Sequence, residues 1–72
     1  MKTKQTVWVI SGEGECGTIE EYVGKRSARA IRARNTRESC GGDRWVRWAV
    51  TDGDEPEPYQ YMGADDLIDL MR

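Results

Sequence analysis

The sequence predicts an α+β fold: a small antiparallel sheet of three or four strands, with one main helix and a short C-terminal helix packed on one face. Three observations carry this. Two blocks, "TVWVIS" (Thr6–Ser11) and "RWVRWAVT" (Arg44–Thr51), are built from the β-branched and aromatic residues that suit a pleated, packed surface. Between them, "SARAIRAR" places Ala30 and Ile31 among basic residues at helical spacing. Near the end, "ADDLIDLMR" opens with acids and closes on Arg72, the charge order that a helix dipole favours.

The first block alternates Val7 and Val9 with Trp8 and Ile10. Both faces of that strand are therefore apolar, as in an inner strand or one whose second face is partly covered. "GEGECG" (Gly12–Gly17) follows, and its three glycines mark a loop. The segment from Thr18 to Arg37 admits two readings. In one, Thr18 and Glu21 form a capping box, and a helix of about twenty residues runs through Gly24 at a cost of ~1 kcal/mol. In the other, Ile19–Val23 is a strand paired with the first block, Gly24 sits at a bend, and Ser27 caps a shorter helix, Ala28–Arg37. The second is preferred because three Trp residues need sheet to cover them. It also brings Cys16 and Cys40 to one edge, whereas a single long helix would hold them roughly 30 Å apart, too far for a bridge.

In "SCGGD", Gly41 and Gly42 are expected to end the helix. The block that follows is the clearest strand, with Arg44, Val46, Trp48 and Val50 on one face and Trp45, Arg47, Ala49 and Thr51 on the other. The first set reads as core. "DGDEPEP" is a turn or linker, since two prolines cannot join a ladder. "YQYM" (Tyr59–Met62) reads as a short strand before the last helix. The order is β-β-α-β-β-α or β-α-β-β-α, within one small domain spanning residues 1–72.

Composition bounds the function. A chain of 72 residues buries only about 60% of its unfolded surface, so its core must be efficient. No apolar run approaches the roughly 20 residues of a membrane span, and the four-residue apolar block near the start is too short for a secretory segment. A cytoplasmic protein with no membrane partner is expected. The formal net charge of −2 conceals a strong asymmetry: residues 25–47 carry +6, and residues 48–72 carry −6. Such a charge dipole points to charged partners or to pairing between the two halves of the chain.

Catalysis finds little support. There is no histidine, so the usual general base and most triads are missing, and a Cys nucleophile would lack its customary partner. "GEGECG" lacks the Lys-Ser/Thr that a phosphate-cradling loop requires. Two cysteines cannot complete a zinc site, and "DGDE" lacks calcium-loop spacing. No enzyme activity, metal or cofactor is expected.

Binding remains. Lys25, Arg29 and Arg32 recur at i, i+4 and i+7 as a basic stripe, which equally suits the wet side of an ordinary amphipathic helix. Trp45 and Arg47 share a strand face, and Trp and Arg dominate interface hot spots. The candidate partner-binding residues are therefore Lys25, Arg29, Arg32, Arg44, Trp45 and Arg47. A protein complex is the expected partner. RNA or single-stranded DNA is the alternative, read by aromatic stacking and Arg, although no RNA-binding signature is present and the acidic last third would repel phosphate. That acidic stretch, Asp52 to Asp69, is the next candidate surface, as a nucleic-acid mimic.

In layout, the chain resembles the small accessory proteins of phages and mobile elements, of which anti-CRISPR inhibitors are the best-known group. The resemblance rests on the succession "VWVIS", "SARAIRAR", "RWVRWAV" in a short chain without a catalytic set. It implies stoichiometric blocking of a larger complex in the host cytoplasm, without a small-molecule cofactor, and transfers no site residues.

Overall fold

The computed structural model describes residues 5–71. In chain order it contains strand β1 (Thr6–Glu13), strand β2 (Cys16–Glu21), helix α1 (Ala28–Glu38), strand β3 (Arg44–Thr51), a 3-10 turn (Pro58–Gln60) and helix α2 (Ala64–Met71). The strands form one antiparallel sheet in the order β2-β1-β3, with both helices on the same face. This is the expected α+β architecture, and β3 has the expected bounds.

The two apolar faces of "TVWVIS" explain why β1 is the central strand. Val7 and Val9 stand opposite Val50 and Trp48 of β3, and these four point toward the helices. Trp48 is fully buried and anchors the core. Its ring meets Tyr22 edge-on, with centroids 5.3 Å apart, and its indole N–H donates to Asn35 Oδ1 at 3.0 Å. Ile31 from α1 and Leu67 from α2 close over it, each fully buried.

Ser27 caps α1 as expected, its hydroxyl accepting from the Ala30 N–H at 3.2 Å. Four details differ from the sequence expectation. The stretch Gly12–Gly17 is not a loop; all but Gly14 and Glu15 belong to the ladder, with Gly12 paired to Gly17 and Glu13 to Cys16. Gly14, at φ 63°, supplies the positive dihedral required at the first central position of a type II′ hairpin turn. A Cβ at Gly12 would run into the Cys16 carbonyl oxygen, so strand pairing and glycine composition have one cause here.

Second, β2 ends at Glu21 rather than Val23. Tyr22 still donates its N–H to Val7, but its side chain turns into the core and its hydroxyl donates to the Lys25 carbonyl at 2.6 Å, which leaves Val23 exposed. Third, α1 stops at Ser39, whose hydroxyl donates back to the Asn35 carbonyl, before either expected glycine is reached. Fourth, "YQYM" is not a strand. Pro58 at the head of the segment favours a 3-10 turn, and only Met62 pairs, in a two-way bridge with Trp48.

The cysteines are unbridged and exposed. Both belong to the hairpin end of the sheet: Cys16 opens β2, and Cys40 follows α1, whose Glu38 accepts from Ser11 of β1. Ala64, Leu67 and Ile68 bury the apolar side of α2, with Asp65 and Asp66 in its first turn as expected. Arg72, the expected basic end of that helix, lies outside the described residues.

Candidate interaction surface

Because both helices cover one side of the sheet, the other side is left without a covering element among the described residues. Its residues follow from the register. Across the three strands, Ile19, Ile10 and Arg47 form the middle row. Gly17, Gly12 and Trp45 form the row at the hairpin end, and Glu21, Trp8 and Ala49 the row at the other end.

The two outer indoles are fixed rather than loose. Trp8 Nε1 donates to Thr51 Oγ1 at 2.8 Å, and Thr51 in turn donates to the Asp54 carbonyl at 2.6 Å. The Trp8 ring therefore reaches diagonally across β3, which accounts for the complete burial of Ala49 on an otherwise open face. At the other end, Trp45 Nε1 donates to the Gly14 carbonyl at 2.7 Å. Its six-membered ring lies over Gly17, where an added Cβ would approach it to 2.6 Å. The missing side chains of Gly12 and Gly17 make the space this ring occupies. Trp45 is thus a brace for the hairpin as well as a surface residue.

Between the two indoles lie half-buried Ile10 and Ile19 and exposed Arg47. Arg47 donates one N–H to the neighbouring Val46 carbonyl at 3.1 Å and makes no ion pair among the described residues. The face is an apolar strip about two strands wide, framed by two held indoles and carrying the Arg47 guanidinium, which has no ion-pair partner among the described residues.

The other candidate residues are placed elsewhere. Arg29 and Arg32 belong to α1, on the opposite side of the sheet from Trp45 and Arg47, so these four residues do not form one surface. Lys25 precedes the Ser27 cap and is not part of the helix, which breaks the expected basic stripe. Arg32 faces Asp65 of α2 at 3.3 Å, with both side chains largely exposed. Arg34, mostly buried, holds α1 to β2 through Glu20 at 2.8 Å and lies 4.0 Å from Glu38. Arg44 donates to the Glu38 carbonyl and ties the start of β3 to the end of α1. Arg29 and Arg37 stay exposed on the outer side of α1. The charge asymmetry of the chain is thus partly satisfied within the fold.

The acids of the last third are also divided. Asp52, Asp54, Glu55 and Glu57 line a hollow beside the end of β3, while Asp65 and Asp66 flank Arg32 on α2. Among the described residues, no group of three or more His, Cys, Asp or Glu side chains is placed to hold a metal ion, and no helix is long and apolar enough to cross a membrane.

Trp8, Ile10 and Ile19 were absent from the candidate set read from sequence. The signal for two of them was present in the apolar second face of β1; Ile19 could not be placed until the hairpin register was fixed. No family model, no curated protein and no solved structure matches the chain.

Proposed function

We propose that this is a small non-enzymatic binding protein that acts stoichiometrically on a larger protein complex, through the open face of its sheet. The observation that supports this most strongly is the pair of indoles, Trp8 and Trp45, each held by its own N–H on either side of Ile10 and Arg47. Aromatic rings already fixed in place lose little conformational freedom on docking, and Trp and Arg contribute disproportionately to interface energy. The partner chemistry follows from the face: an apolar patch carrying one carboxylate, positioned for the Arg47 guanidinium. In the setting that the chain's layout suggests, the protein is a phage-encoded inhibitor of the anti-CRISPR type, which blocks its target by occupying it.

Placement weighs against the nucleic-acid alternative. That alternative combined the basic helix with the Trp/Arg strand, and the two lie on opposite sides of the sheet. The open face is bordered by Glu21, with Glu15 in the adjoining turn, which would oppose a phosphate backbone.

Affinity capture from the source cell, with and without nuclease, tests the reading. A protein partner retained after nuclease by the wild type, and lost with Arg47→Glu, is the expected result. A partner that disappears with nuclease, or direct binding of an oligonucleotide at micromolar affinity in physiological salt, would overturn it.

A further inference from the structure

The two edges of the sheet are treated differently by the sequence, and the difference defines a second interaction site. The β3 edge is closed at its middle. Trp48 exchanges both backbone hydrogen bonds with Met62, at 2.8 and 2.7 Å, and the neighbouring outward carbonyl of Val46 accepts from Arg47. Among the described residues the β2 edge has no such cover. Tyr22 donates to Val7, and Glu20 and Thr18 pair with Val9 and Ser11 in the same phase of the ladder. The alternation of an antiparallel ladder then directs the N–H and C=O of Gly17, Ile19 and Glu21 away from β1. Among the described residues, none of these outward groups has a backbone partner.

An exposed edge of this kind is a template for another strand unless a protein blunts it with proline, lysine, a bulge or a covering segment. Cys16–Glu21 contains no proline or lysine, and its pairing with β1 is continuous, without a bulge. Two of its six residues, Glu20 and Glu21, are instead acidic. Glu21, at the far end of the strand, lies on the open face, exposed and without an ion-pair partner among the described residues, and Glu15 stands in the hairpin turn at the other end; Glu20 is neutralised by Arg34. This charge disfavours pairing of β2 with a second copy of itself, because two copies bring four glutamates to one seam. It favours a strand that carries the opposite charge.

We infer that the β2 edge is a strand-addition site for an extended basic segment of a partner protein, paired to the outward backbone groups of Gly17, Ile19 and Glu21 and selected by Glu21. In strand addition, the backbone bonds supply affinity and alternate side chains supply specificity. Here the partner's Lys or Arg lies against Glu21, and an apolar residue lies beside Ile19 on the open face. The site uses backbone at the sheet edge and does not depend on the docking role proposed for Arg47.

The test uses the full chain, isotopically labelled, with a synthetic peptide whose every second residue is in turn valine and lysine, with threonine between them (Thr-Val-Thr-Lys-Thr-Val-Thr-Lys), so that one face carries both, and a matched peptide with glutamate in place of lysine. The valine–lysine peptide is expected to slow amide exchange at Gly17, Ile19 and Glu21 at least tenfold, and the glutamate peptide to leave it unchanged. Glu21→Lys is expected to reverse this preference. Ile19→Pro removes one outward N–H and no β1–β2 bond, so peptide affinity should fall at least tenfold while the β1–β2 amides stay protected. Peptide binding without protection of these three amides, or a peptide preference unchanged by Glu21→Lys, would overturn the inference. So would protection of the same amides in a protein dimer without peptide. Should Ile19→Pro fail to fold, the charge reversal at Glu21 decides alone. Loss of partner capture by Arg47→Glu with peptide protection intact would separate this site from the open face.

Discussion

Trp48 shows how much a single residue decides in a domain this small. It supplies the centre of the core, an edge-on contact with Tyr22, and a hydrogen bond to Asn35 that keeps its indole N–H paired. Trp48→Ala is expected to cost about 3–5 kcal/mol. At about 0.05–0.15 kcal/mol per residue this chain holds only about 4–11 kcal/mol in total, so chemical denaturation should find this variant with a large part of its stability gone. Asn35→Ala leaves the indole N–H without its partner and should cost about 1–3 kcal/mol, measured the same way. Thr51→Val is more informative about function. It removes the acceptor that holds Trp8 while nearly conserving shape, so stability should fall by only about 1 kcal/mol. Partner affinity should fall more than stability if the held ring matters, because the freed indole must then be ordered on binding. Equal affinity for the Thr51→Val and wild-type proteins would show that the fixed ring contributes nothing.

At the scale of the elements, α1 and β3 were legible because each rests on local chemistry. Ser27 is a good N-cap wherever the chain places it, and a run in which five of eight residues are Trp, Val or Thr has few alternatives to a strand. Ser27→Ala should cost about 1 kcal/mol, which for a domain of this size lowers the thermal midpoint by about 4–8 °C. The hairpin was harder to read, because a glycine-rich stretch signals a loop by composition while these glycines also serve pairing. Gly14 makes the turn, Gly12 admits the close approach of Cys16, and Gly17 receives the Trp45 ring. None of these roles is visible until the register is set by contacts distant in sequence. Gly12→Ala tests the point: the Cβ meets backbone rather than a movable side chain, and a loss of about 1–3 kcal/mol is expected, with weakened protection across the Glu13–Cys16 pair. "YQYM" was misread for a related reason. Its alternation resembles a strand, but one bridge at Met62 is all that the adjacent turn permits.

For the whole molecule, the decisive information is which side of the sheet each element covers. Sequence alternation separated Trp45 and Arg47 from the core face of β3, and this held. It could not say that α1 would pack on the other side, and so it joined Arg29 and Arg32 to a surface they do not share. The opposite placement makes the proposed role of the open face directly testable by charge reversal on the two sides. The measurement is the affinity of the nuclease-resistant partner for two folded variants, Arg47→Glu and Arg29→Glu, in the same buffer. If the open face is the docking surface, Arg47→Glu should weaken binding by at least about tenfold, as loss of a central Arg contact does, and Arg29→Glu by less than about threefold. The reverse order, with Arg29→Glu abolishing binding and Arg47→Glu leaving it intact, would contradict the account and move the working surface to the outer side of α1.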